Sequence, residues 1–150
     1  MNNREKIKWL EQYRHEQSRL RLLCSELEAL RDQAEELCRA RDGRADAPMP
    51  DWLAGDLAQA RQEMEAQGAR CVLLRRRMVK AISRLEDERQ REVLCRRFLQ
   101  GQTAAEAADE MGVVPRRVEQ LQTEGVRRIS IDLQENGTEN TEKSRLKGLR

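Results

Sequence analysis

Along the first segment, from about Asn3 to Arg41, apolar residues fall at Leu20, Leu23, Leu27, Leu30, Ala34 and Leu37, in alternating steps of three and four. A second row, Leu10, Tyr13, Leu20, Cys24 and Cys38, lies beside it, and charged residues fill the rest. Steps of three and four keep one face of an α-helix apolar, so the pattern predicts a long amphipathic helix with coiled-coil spacing. At about 1.5 Å per residue it would extend roughly 60 Å. Gly43 to Pro50, "GRADAPMP", cannot continue that helix, because it holds a glycine and two prolines. A second helix is expected to start at Asp51 or Asp56. Its inward row is Leu57, Ala60, Met64, Gln67, Cys71, Leu74, Met78, Ala81 and Leu85, again in steps of three and four. Gly68 weakens it locally. Two such helices joined by a short breaker predict an antiparallel hairpin, with Trp52 and Leu53 folding back over its tip.

The rhythm shortens after Leu85. Asp87 suits the N-cap of a helix from Glu88 to Gln100, with Val93, Leu94, Phe98 and Leu99 facing inward. Gly101 suits a left-handed closing position. Thr103 and Glu106 then form the capping pattern Thr-x-x-Glu at the start of a short helix ending at Met111. Gly112 can take positive φ. Pro115 stands where a first helical turn tolerates a missing N–H, and the last helix is expected to run to about Leu133. A steep crossing of the two short helices needs a small residue mid-way along the first, a turn tolerant of positive φ, and an apolar plug from the second. Ala108, Gly112 and Val118 supply these in order, with Ala107, Met111, Val113 and Leu121 completing the apolar contacts. This pattern predicts a helix-turn-helix. The stretch "QENGTENTEKSRLKGLR" that follows is polar and without periodicity, and is read as a disordered tail.

Composition narrows the function. Charged residues make up 37% of the chain and aromatics 3%, which favours an elongated helical protein over a thick globular core. The net charge of +2 argues for no polyanionic partner by itself, so any basic surface must be local. No apolar run can span a bilayer and no secretory signal opens the chain, which implies a cytoplasmic location and no membrane. Cys24, Cys38, Cys71 and Cys95 form no CxxC pair and His15 is the only histidine, so no metal site or cofactor is expected and the thiols read as reduced. Without a Gly-rich phosphate loop, a nucleophile–His pair or a metal cluster, the chain is expected not to be an enzyme. Arg75, Arg76 and Arg77 read as a solvated helix face, with phosphate contact or an acidic partner as the sharper alternative.

The stretch "RQREVLCRRFLQGQTAAEAADEMGVVPRRVEQLQTEGVRRI" resembles region 4 of sigma-70-type factors, the part that reads promoters, over roughly Glu88 to Ile131. The whole chain resembles a phage family that carries such a region behind a long helical segment, including late-gene transcription activators of Gram-positive phages. "WLEQY", Trp9 to Tyr13, carries the weaker N-terminal likeness. The resemblance implies an all-α fold with three parts. These are a helical hairpin over residues 1–86 for oligomerisation or partner binding, a DNA-binding helix-turn-helix over 87–133, and the tail over 134–150. It further implies that Pro115, Arg116, Arg117, Glu119 and Gln120 face double-stranded DNA. Residue chemistry agrees in part: arginine can bind guanine O6 and N7, and glutamine adenine, with two hydrogen bonds each. Thr103 and the N–H groups behind it could hold a phosphate at a helix start.

The sequence departs from the family where Val114 replaces the usual Ser or Thr cap and Pro115 replaces a polar contact. Glu106, Asp109, Glu110, Glu119 and Glu124 leave the region without net positive charge, which favours two copies binding together. The expected function is therefore a sequence-specific, dimeric transcription regulator that touches RNA polymerase. The alternatives are a small-terminase-like DNA-packaging protein, or a helical interaction protein that binds RNA polymerase or a sigma factor without DNA.

Overall fold

The computed structural model describes residues 1–42 and 49–132. Most of the expected loop at Gly43–Pro50 and the expected disordered tail lie outside the described residues, whereas the last helix, expected to run to about Leu133, already ends at Arg128, with residues 129–132 non-helical. The described chain is helical, with no strand: α1 is Asn3–Asp42, α2 Asp51–Ser83, α3 Glu88–Leu94, α4 Ala104–Met111 and α5 Pro115–Arg128. Among these residues no helix is long and apolar enough to cross a membrane. Two compact units form, one from Lys8–Arg77 and the other from Met1–Ile7 with the chain from Met78 onward.

In the first unit α1 and α2 run antiparallel. Gln67 Nε2 donates to the Glu16 carbonyl at 2.8 Å and to its carboxylate at 2.6 Å. Arg70 pairs with the same carboxylate at 3.2 Å. Three residues earlier on α1, the Arg75 guanidinium lies 5.8 Å from the centre of the Tyr13 ring. Later positions on α1 therefore meet earlier positions on α2. The inward row predicted for the second helix is buried or half-buried from Leu57 to Leu85; Met78, Ala81 and Leu85 belong to the second unit, and Leu85 lies past the end of α2. On α1 the buried positions are Leu10, Tyr13, Leu27, Ala34 and Cys38. Leu37, expected to point inward, is 44% exposed. The row takes a step of four from Ala34 to Cys38, and the neighbouring residue is turned about 100° away.

Trp52 and Leu53 do not fold back over the tip. Pro50 accepts the N–H groups of Leu53 and Ala54 at 3.1 and 3.0 Å, so the helix has already begun there. Adjacent helical residues diverge, and Leu53 is buried while Trp52 is 62% exposed. Gly68 does not mark a close approach: a Cβ there would meet Leu20 Cδ1 at 3.9 Å, an ordinary contact.

The second unit holds three short helices around one apolar cluster of Val93, Ala107, Ala108, Val118 and Leu121, with Ala104, Met111 and Val113 packed against it. Asp87 caps α3 by accepting the Gln90 N–H at 3.0 Å. The expected helix to Gln100 is α-helical only to Leu94; Cys95–Leu99 form a π-turn, closed by Gln100 N–H donating to the Cys95 carbonyl at 3.0 Å. Gly101 takes φ 72° and ends it. Across the unit, α3 and α5 approach closely at Gly125, where a Cβ would lie 3.2 Å from Leu94 Cδ1 and 3.5 Å from Gln90 Cβ. Helix α5 ends at Arg128, and Ile129 is extended at φ −61° and ψ 135° with its side chain buried.

Candidate nucleic-acid interface

The two short helices are joined by a turn whose every residue has a local reason. Thr103 is extended and its hydroxyl accepts the Glu106 N–H at 3.1 Å, which caps α4. The same hydroxyl donates to Glu106 Oε1 at 3.2 Å. At the other end Gly112 takes the left-handed conformation, φ 68° and ψ 33°. Val113 N–H then donates to the Ala108 carbonyl at 3.0 Å, the six-to-one bond of a Schellman stop. Val113 packs against the apolar cluster, which fixes where the chain leaves the turn.

Val114 caps α5 with backbone alone. It is extended at φ −82° and ψ 152°, and its side chain makes no capping bond. A valine here forgoes about 1 kcal/mol relative to an oxygen-bearing cap. Pro115 occupies the first turn, where its fixed φ and missing N–H suit the helix. Three and six residues later in the helix, Val118 and Leu121 fill the core at 0% and 3% exposure. This anchoring turns the opposite face outward: Pro115, Arg116, Arg117, Glu119 and Gln120 are all exposed. No hydrogen bond or ion pair among the described residues engages the side chains of Arg116, Arg117 or Gln120. They line an open groove with Glu119 and Thr123 of α5, with Gln90 of α3 and with Asp87 at its cap. The structure thus brings four of the six candidate residues, Arg116, Arg117, Glu119 and Gln120, to one groove, while Pro115 is exposed at the helix start outside its lining. Thr103 stands apart at the start of α4, its oxygen already used by the cap and a carboxylate beside it.

Two arginines missed by sequence reasoning brace this geometry from the π-turn. Arg96 pairs with Glu92 at 3.1 Å and with Glu110 of α4. Arg97 Nε donates to Gln122 Oε1 of α5 at 2.8 Å, and its Nη1 donates to the Gln102 carbonyl at 2.8 Å. Consecutive residues thus hold both helices of the turn. Glu110 is held below the usual carboxylate range, first by the hydrogen bond from Gln102 and then by Arg96, against an opposing effect of burial. No pattern in "CRRFL" separates an α-turn from a π-turn, because both suit the same helix-forming residues. At the far end of α5, Lys6 donates to the Arg127 carbonyl at 2.9 Å, a cation placed at a helix C-terminus where the dipole favours it.

Residues 81–130 match the family model described as sigma-70, region 4. This segment is a sigma-70 region 4-like helix-turn-helix. The match spans all of α3, α4 and α5 together with the π-turn, so the groove-lining face of α5 lies within it. A domain of this kind carries a DNA-binding, transcription-related function. No curated protein and no solved structure matches the chain.

Proposed function

We propose that the protein is a sequence-specific transcription regulator that reads double-stranded DNA with the outer face of α5. One observation carries this reading: Arg116, Arg117 and Gln120 stand exposed and unengaged on the first turns of the second helix of a helix-turn-helix. The opening residues of such a helix meet base edges in the major groove. Arg116 and Gln120 share one face and suit guanine and adenine; Arg117 and Pro115 flank them toward the phosphates; Glu119 suits a cytosine amino group. Thr103 takes a supporting part at the start of α4. The protein is non-enzymatic and cytoplasmic, and its organisation follows three parts, residues 1–86, 87–133 and 134–150. A phage origin, late-gene activation and a contact with RNA polymerase rest on the resemblance of the whole chain.

The same reading includes a homodimer. The local charge is low for a single DNA-binding head, and two heads bound together compensate for that. The stripe residues Leu27, Leu74 and Met78 are buried within one chain, so they leave little for a partner. Leu22, Leu37 and Val72 remain exposed on the long helices and offer apolar side chains to a second copy. Selection of duplexes from a randomised library by the full chain at low salt tests the DNA reading. Enrichment of one motif is expected, and enrichment of none would overturn it. Light scattering tests the dimer: a mass near the 17.5 kDa monomer, unchanged on adding the selected duplex, would exclude it.

A further inference from the structure

The exposed face of α5 is polar except at its leading edge. Val114 is 65% exposed, more than any other exposed large hydrophobic residue described. It occupies the cap position, where an oxygen would close a hydrogen bond to the helix, and it makes none. Pro115 beside it is exposed as well, so two apolar side chains precede Arg116. The turn does not need the valine for packing: Val113 packs against the core in its place, and Val118 and Leu121 plug the helix from the other side. An apolar side chain that forgoes a cap and a core contact, at the edge of a base-reading surface, calls for an apolar partner on the DNA.

In the major groove the base pairs present donors, acceptors and one apolar group, the C5-methyl of thymine. We infer that Val114 reads that methyl group, which makes it a specificity-determining residue for a thymine next to the base pairs met by Arg116 and Gln120. The inference rests on the DNA-reading function proposed above and adds the identity of one base. The valine's two methyl groups cover the thymine methyl on one side and exclude water from it. Cytosine presents only a C5–H where thymine carries its methyl, so the apolar contact is lost. Discrimination therefore comes from the methyl contact.

The test uses the full chain and the duplex motif enriched from a randomised library. Each thymine of that motif is replaced in turn by deoxyuridine, which removes the methyl and leaves every hydrogen bond intact. For the wild-type protein, uracil at one position should weaken binding about fourfold, the worth of one buried methyl group. The same exchange should be neutral for Val114→Ser, which removes both methyl groups and supplies the missing cap oxygen, so folding is preserved. Uracil tolerated at every position, a motif without thymine, or a penalty that persists in Val114→Ser would each overturn the role of Val114 while DNA reading stands. Failure to enrich any motif would overturn the reading on which the inference rests.

Discussion

Replacing Gly112 with alanine isolates the backbone cost of the turn. The residue sits at φ 68°, where an L side chain is strained by about 1–2 kcal/mol. A Cβ added there meets nothing within 4 Å, so packing contributes in neither direction. Alanine also narrows the unfolded ensemble, which returns about 0.4–1 kcal/mol. The net loss should be about 1 kcal/mol, roughly a fivefold rise in the opening equilibrium of this unit. Asparagine, which visits the left-handed region more readily, should cost less than alanine. Native-state hydrogen exchange at the amides of Val118, Leu121 and Val126, whose side chains are buried, reads this opening directly. Exchange unchanged in Gly112→Ala, or faster in Gly112→Asn than in Gly112→Ala, would refute the argument. A loss above about 3 kcal/mol would also refute it, because it would require a packing contact that the open space around Gly112 does not offer.

Ala108→Leu should destabilise the same unit by about 1–3 kcal/mol, since the side chain is 2% exposed against Val93, Val118 and Leu121; a lowered urea midpoint checks it. Gly68→Ala should stabilise the hairpin by up to about 1 kcal/mol, because its Cβ finds an ordinary contact and the helix gains propensity; the thermal midpoint should rise. Glu16 is held below the usual carboxylate range, first by the hydrogen bond from Gln67, with burial opposing and Arg70 and Arg19 assisting. Its folded-state pKa lies below the unfolded one, so its stabilisation is fully present above the ordinary carboxylate range of about 4.3–4.5 and is lost as pH falls through the folded value. Urea midpoints measured down that range should fall more steeply for the wild type than for Glu16→Gln.

Much of this architecture was legible because helical periodicity survives into the structure. The row from Leu57 to Leu85 faces inward at every position, and the glycines at 101 and 112 take the positive φ their places require. Asp87 and Thr103 cap as their side chains allow. What was hidden depends on one-residue choices that composition does not encode. Leu37 and Cys38 are both apolar enough to lie inward, and the register from Ala34 decides between them. Trp52 is a large side chain whose exposure follows from the helix starting at Asp51 rather than from its own chemistry. The π-turn at Cys95–Leu99 carries Arg96, which meets Glu110 of α4, and Arg97, which meets Gln122 of α5. Of the candidate site, the exposed face of α5 could be read from Val118 and Leu121 pointing inward. The engagement of Thr103 with Glu106 could be read from the capping pattern, and it sets that residue apart from the groove.

The measurement that bears most directly on DNA reading by α5 is a binding titration of the full chain on its selected duplex and on single mismatches, across a range of salt. Arg116→Ala should weaken the selected duplex by about 1–3 kcal/mol and relax the choice at one base pair. Arg117→Ala should weaken all duplexes alike and reduce the salt slope by about one ion. If both variants bind every duplex as the wild type does, α5 is not the reading helix.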